Sequence, residues 1–515
     1  MIESMDQPGT NMPETPVVPP SQPNIGQTPS PGPQPVPPPA PAAPAQQAAE
    51  SFLAQDTKTG PKLSKILLFI LIPVILIIIG FLVYKFVLPK FPSIGKPQEV
   101  TLTYWGLWEP DNVMRQIFDE YEKTHPGVKI NYVFQSPKDY RERLASSFAQ
   151  DTGPDIFRFH NTWVPMFKND LSSIPSKIMD NATFEASFYP VARTDLKIGT
   201  NYVGIPLEID GLALFVNDDI FTAAGKTYPK NWDSLRQTAL DLCVSDSPGG
   251  KCGAGANILT AGVSLGRTEN VDHWSDILGL MMLQNGANLE KPAECVMIAD
   301  KENCYGADAL TYFTLFAKND YVWNETLPNS TRAFSSGKLA MYFGPSWEVF
   351  EIKRANPTLK FTILPVPQVG EDKEITWASY WAEGVSKKSK NQDAAWEFVK
   401  YLSDKGTMEK LYKIQSQSSA TRPFGEPYSR VEMASLLKDD PYVAPFINQA
   451  PTARSWYLSS RTFDNGLNDK IIKYFEDAVN SVLLNKTTAQ VALETVASGV
   501  SQVLAQYGIS ASVVK

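Results

Sequence analysis

The stretch Val100–Phe134, VTLTYWGLWEPDNVMRQIFDEYEKTHPGVKINYVF, decides the fold. Val100 to Trp105 alternates apolar and polar residues as a half-buried strand does. Asp111 then opens a helix that carries Val113, Ile117, Phe118 and Tyr121 on one face, and His125-Pro126-Gly127 stops it. Val128 to Phe134 reads as a second strand. Strand–helix–strand at this spacing implies a parallel sheet with a right-handed crossover. Ligands of open α/β sheets bind at the carboxyl ends of strands. The exit loop Trp105-Gly106-Leu107-Trp108-Glu109-Pro110 lies at such an end, which makes Trp105, Trp108 and Glu109 candidate ligand contacts.

The same grammar continues downstream. Gly153-Pro154-Asp155 turns into a short strand that ends in His160-Asn161, followed by Trp163. Tyr202 to Leu207 leads through Glu208 and Asp210 into the strand Leu212–Asn217, and Pro229 to Leu235 is a capped helix start that runs into a helix expected to reach Leu242. Phe334 to Met341 enters a further strand that ends in Gly344-Pro345-Ser346-Trp347. Leu467–Leu484 and Thr488–Leu504 are amphipathic helices near the C-terminus.

Upstream the composition changes. Ile66 to Tyr84, ILLFILIPVILIIIGFLVY, has no charged residue, and at about 1.5 Å of rise per residue it would cross roughly 30 Å of hydrocarbon. A long tail precedes it, no cleavage pattern follows it and the first cysteine is Cys243, so a retained anchor is expected over 61–90 rather than a cleaved signal or a lipoprotein. Met1 to Ala45 is about one-third proline. Such a segment offsets too little ordering entropy to fold, so 1–60 is expected to form a disordered tail, and 91–97 a linker. The remainder, 98–515, reads as globular and is long enough for two lobes. The formal net charge of −8 argues against nucleic acid as a partner.

Lysines flank the apolar run on both sides and do not orient it: Lys58, Lys62 and Lys65 precede it, and Lys85, Lys90 and Lys96 follow. The cysteines say more. Cys243/Cys252 and Cys295/Cys304 are two C-x8-C pairs around polar loops. A zinc site would use all four, but this is not a zinc-knuckle spacing and the chain holds only three histidines. Two local disulfides are expected. They place the globular part outside the cell and the N-terminus in the cytoplasm, in a single-pass topology.

Several pieces in a fixed order resemble a known family. They are GPDI at Gly153, YVGIPLEIDGLALFVNDDIF from Tyr202, PKNWDSL from Pro229, FSSGKLAMYFGPSW from Phe334, ILPVPQ from Ile363 and EGVSKKSKNQDAAWEFVKYLS from Glu383. Over Gln98 to Tyr507 the chain resembles the extracellular solute-binding proteins of ABC importers, in their maltose-binding-protein-like, carbohydrate-binding group. The resemblance implies a type II periplasmic-binding-protein fold: two α/β lobes joined by a multi-strand hinge. Lobe one would hold about 98–210 and 366–417, and lobe two about 211–365 and 418–515. Relatives are usually free in a periplasm or held by a lipidated cysteine, so the anchor departs from the pattern.

A sugar presents apolar C–H faces, which aromatic rings cover, and hydroxyls, which carboxylates, amides and arginines satisfy. Candidate contacts are therefore Trp105, Trp108, Glu109, His160, Asn161, Trp163, Tyr380, Trp381 and Glu383 on strand-end loops. By resemblance, Glu208 and Asp210 join them at the hinge, with Trp347 as a stacking ring and Arg422 in a small-residue–Pro turn. His273-Trp274, Trp456 and Tyr457 are weaker candidates.

The resemblance implies a carbohydrate ligand, ABC permease subunits as partners, a monomeric ectodomain, and neither cofactor nor metal. Glu109, Glu208 and Glu383 could be imagined as a glycosidase acid and base, but lone carboxylates in sugar sites are more often acceptors. A sensor that signals through a partner of the Pro-rich tail is the other alternative.

Overall fold

A computed structural model describes residues 63–82, 85, 99–370 and 372–509, with side chains of the first helix described from Pro73 onward. The chain divides into two units, Met1–Pro92 and Ser93–Lys515. In the first, the apolar run forms the helix Leu63–Leu82, with Pro73 inside it. The expected anchor was Ile66–Tyr84. Val83 and Tyr84 fall outside the described residues, as do the expected tail 1–60 and linker 91–97. Among the described residues no helix is long and apolar enough to cross a membrane.

The second unit is built on two five-stranded sheets. In the first, Val100–Gly106 pairs in parallel with Val128–Phe134 along its whole length, from Val100↔Val128 to Gly106↔Phe134. It also pairs in parallel with Ile156–His160. The helix Asp111–Thr124 between the first two strands buries Val113, Met114, Ile117, Phe118 and Tyr121 on one face. Tyr104, Phe118, Tyr132 and Phe398 pack ring to ring beneath it. Two antiparallel strands complete the sheet: Trp381–Val385 against Ile156–His160, and Ile205–Pro206 beyond it. The register sets Trp381 opposite His160, so two distant loops meet at one sheet end.

The second sheet runs in the order Phe361–Leu364, Ala213–Asn217, Leu339–Gly344, Ile258–Val263, Val244–Ser245. Its strands Ala213–Asn217 and Leu339–Gly344 are buried at every position, which suits apolar runs such as LAMYFG. The helix Trp232–Leu242 starts within the expected capped segment, where Asn231 proves to be the cap and Ser234 completes a reciprocal capping box. Leu467–Leu483 and Ala489–Gln506 form the C-terminal helices.

The chain passes between the sheets through 207–212 and again through 365–380. Between them, Thr376–Trp377 pairs in parallel with Ala453–Arg454. The crossings touch: a Cβ on Gly211 would lie 1.7 Å from the Trp377 carbonyl oxygen. Only glycine allows so close a backbone approach. Both expected disulfides are present, Cys243–Cys252 with S–S 1.98 Å and Cys295–Cys304 with S–S 2.06 Å. The four sulfurs are thereby consumed, and the zinc alternative falls.

Candidate functional site

A cavity of about 530 Å³ opens where the crossings meet the ends of the two sheets. From the first sheet's side Trp108, His160 and Trp381 line it. Trp108 and Trp381 meet edge to face at 5.7 Å, and His160 meets Trp381 at 5.1 Å. Burial pushes the His160 imidazole down to about 3, so it is neutral. The Thr162 N–H donates to its Nδ1 at 3.4 Å, which leaves Nε2 to donate to Ser379 Oγ at 3.0 Å.

The facing wall is one side of the short helix Glu348–Ala355. Trp347, Phe350, Glu351 and Arg354 line the cavity at spacings of three and four, the period of a single helix face. His273 braces Trp347 edge-on at 5.6 Å. Burial opposes a charge on His273, but Glu348 Oε1, 3.1 Å from Nε2, outweighs it and holds the pKa above the ordinary value.

Carboxyls converge on the floor. Trp381 N–H donates to Glu208 Oε1 at 3.1 Å. Burial first, and the Glu426 charge second, push the Glu208 carboxyl well above its usual range. For Glu426 burial works the same way, but Arg422, 2.5 Å away, outweighs it and holds that group below its usual value. The pair is thus pulled apart, with Glu208 pushed up and Glu426 held down by Arg422. Burial raises Asp210 to about 7. Asp276 is raised by burial too, and accepts from Trp377 Nε1 at 2.9 Å and from Ser460 N at 2.9 Å.

Of the candidates named from sequence, Trp108, His160, Glu208, Asp210, Trp347, Trp381 and Arg422 line this cavity, as does the weaker candidate His273. The others lie outside its wall for identifiable reasons. Glu109 and Glu383 are buried against Arg158, at 2.7 and 2.6 Å, forming a triad behind the first wall. A buried carboxylate needs a cation more than it needs solvent, so both turn inward. Gln415 Nε2 also donates to Glu109 at 3.0 Å.

Asn161 and Tyr380 both donate to Asp195, at 2.8 and 3.0 Å. Trp163 is fully buried, Trp105 packs against the core, and Trp274 begins a helix with its ring at the core's edge. Trp456 and Tyr457 also pack at the edge of the core.

Sequence reading missed Glu426, Asp276 and the segment Ser460–Phe463. Glu426 and Asp276 sit in ordinary charged surroundings, and only the fold aims them inward. The segment has a backbone peculiarity that no residue pattern shows. Arg461, Phe463 and Asn465 all adopt positive φ, at 61°, 51° and 43°. Such strain concentrates where a ligand is gripped. Buried Asp464 holds the loop by accepting from the N–H groups of Gly466 and Asn468 at 2.8 and 3.0 Å.

Comparison with known proteins agrees with this architecture. Residues 107–409 match the model of the bacterial extracellular solute-binding protein family. The chain belongs to that family. It is 22% identical over 321 residues to a maltotriose-binding protein of Pyrococcus abyssi, across 58% of this chain and 61% of that one. It is 24% identical to the diacetylchitobiose binding protein DasA of Streptomyces coelicolor, across 59% and 70% of the two chains.

Among solved structures, a cyclo/maltodextrin-binding protein complexed with maltotetraose superposes with a TM-score of 0.62 at 18% identity. It covers 80% of this chain and 99% of that one. The sugar-binding protein MalE of Xanthomonas citri gives the same score and identity, over 79% and 98%. The fold is that of the type II periplasmic binding proteins.

Proposed function

We propose that this protein captures an oligosaccharide outside the cell and delivers it to an ABC permease. The observation that carries the reading is the cavity itself. Tryptophans enter it from both sheets, Trp108 and Trp381 from one side and Trp347 from the other, above a floor of Glu208, Asp210, Asp276 and Glu426. Opposed rings suit the two faces of a pyranose, and the floor suits its hydroxyls. The volume falls within the roughly 300–1,000 Å³ of small-ligand sites. Relatives named for maltotriose and diacetylchitobiose support a sugar ligand.

The two sheets belong to two lobes, divided near residues 210, 365 and 417, that close on the ligand. Bound sugar touches both walls only when they are closed, so it shifts the population toward the closed form. Titration calorimetry of the full-length chain in detergent tests this with maltotriose, maltotetraose and diacetylchitobiose. Binding of at least one supports the reading. Binding of none, with tight binding of a peptide or polyamine, overturns it.

In this reading the apolar run Ile66–Tyr84, part of which lies outside the described residues, is the anchor, with the N-terminus cytoplasmic and the binding unit a monomer outside. Anchoring keeps the receptor near its permease at high effective concentration. An anchored chain stays with membranes through an alkaline carbonate wash, and Ile75→Asp with Ile78→Asp releases it. Release of the unaltered chain would sink the anchor.

A further inference from the structure

Asp210 looks like a ligand contact, since it lines the cavity beside four tryptophans. Its hydrogen bonds say otherwise. Oδ1 accepts from Gly211 N at 2.7 Å and from Ser346 N at 3.0 Å. Oδ2 accepts from Ser346 N at 3.1 Å and from Ser346 Oγ at 2.8 Å. A carboxylate offers about four acceptor directions. Three protein donors engage both oxygens, the Ser346 N–H being shared between them, and the side chain is buried, with 8% of the residue's surface exposed.

The partners matter because Ser346 immediately precedes Trp347, where the helix Glu348–Ala355 starts. Val349 N and Phe350 N close its first turn onto Ser346 O and Trp347 O. Asp210 reaches the opposite wall through its backbone, where Ser379 N donates to Asp210 O at 2.9 Å. Two residues earlier, Glu208 receives Trp381 N–H. The segment 208–210 therefore holds the Trp347 turn by a side chain and the Ser379–Trp381 strand entry by a backbone carbonyl and a second side chain.

We propose that Asp210 is a positioning residue: its carboxylate fixes the Ser346–Trp347 turn to the crossing segment and so sets the spacing between Trp347 and Trp381 across the cavity. The inference rests on the carbohydrate-capture reading for its consequence, but the geometry it asserts can be tested without ligand.

Glu208 and Glu426 face Asp210 electrostatically, and Ser346 and Gly211 contact it directly. An amide at position 210 keeps one acceptor for the Ser346 and Gly211 N–H groups and can donate to Ser346 Oγ. Asp210→Asn should therefore largely rescue what Asp210→Ala loses. A carboxylate bonded to the ligand itself would show no such rescue.

The experiment has two arms on the full-length chain in detergent. Near-ultraviolet circular dichroism compares Asp210→Ala with the unaltered chain, then repeats the comparison in a Trp347→Phe background. The expected result is a spectral change that disappears when Trp347 is absent. The same change in both backgrounds overturns the proposal.

In the second arm, maltotriose affinity is measured for Asp210→Ala, Asp210→Asn, Ser346→Ala and the Asp210→Ala/Ser346→Ala pair. Expected are a loss of about tenfold or more for Ala, a loss within about threefold for Asn, and no further loss when Ser346→Ala is added to Asp210→Ala. Asn as damaging as Ala, or additive effects, overturns it. If the unaltered chain binds no oligosaccharide, the capture reading fails and the spectroscopic arm alone decides this one.

Discussion

The two walls of the cavity present similar rings on different foundations. Behind Trp108 and Trp381 lies a buried ion triad, Glu109–Arg158–Glu383, whose members come from three separated strands and loops. Trp347 and Phe463 stand instead on a short helix and a strained loop, braced by hydrogen bonds donated to Asp210 and Asp464 and by the ring of His273. One wall is locked by charges that have nowhere else to go. The other combines carboxylate-anchored turns with a single buried His273–Glu348 pair. Within the capture reading, the second wall is where adjustment to different ligands belongs.

Breaking the first foundation should have the largest effect. Arg158→Met leaves buried Glu383 without its cation and Glu109 with only Arg422 at 3.9 Å, which costs about 3–5 kcal/mol. Denaturant unfolding should show this loss, and a loss below about 1 kcal/mol would mean that the triad is not what holds the first wall.

A junction behind both walls comes next. Asp195 accepts from Asn161 and Tyr380 on one side and from Ser455 at 2.7 Å on the other. Burial raises it to about 6. A carboxyl raised in the folded state contributes stability that is complete below its unfolded value near 4 and is lost as pH rises through about 6. The contribution is on the order of 3 kcal/mol for a shift of about two units. Thermal unfolding from pH 4 to 7.5 should therefore show a downward slope, to which Asp210 and Glu208 also contribute and which Asp195→Asn makes shallower. An identical slope in the variant would refute the assignment.

Ring removal sharpens the contrast between walls. Trp347→Ala and Trp381→Ala should each weaken sugar binding by about 1.5–3 kcal/mol, the value of burying one large apolar face. Only Trp381→Ala should also reduce stability, because its ring packs on Trp163 and His160. Equal stability losses in calorimetric scans would erase the distinction.

The smallest effect belongs to the strained loop. Phe463→Asn accepts positive φ more readily, so stability should rise by roughly 0.5–1 kcal/mol while affinity falls. A fall in both would place Phe463 in the structural core instead.

Much of this fold was legible in local pattern. The strand–helix–strand unit from Val100, the capped helix start within Pro229 to Leu235 and the two C-terminal helices stand where periodicity and capping residues put them. The cysteine pairs close as their short spacing suggested. The candidate site was legible only by neighbourhood. Glu109 and Trp108 are adjacent in sequence, yet one turns to Arg158 and the other to the cavity. Nothing in a loop sequence reveals which neighbour has a buried cation waiting 49 residues away.

The sequence by itself determined the elements, their α/β order, the oxidised cysteine loops and the family, because side-chain periodicity, capping and loop closure act over a few residues. Only the tertiary structure decided which polar groups face a ligand. That choice comes from long-range pairing, as in Arg158–Glu383 across 225 residues and Asp210–Ser346 across 136. A buried charge takes the partner that the fold brings to it, and what remains unpaired at the cavity wall is the site.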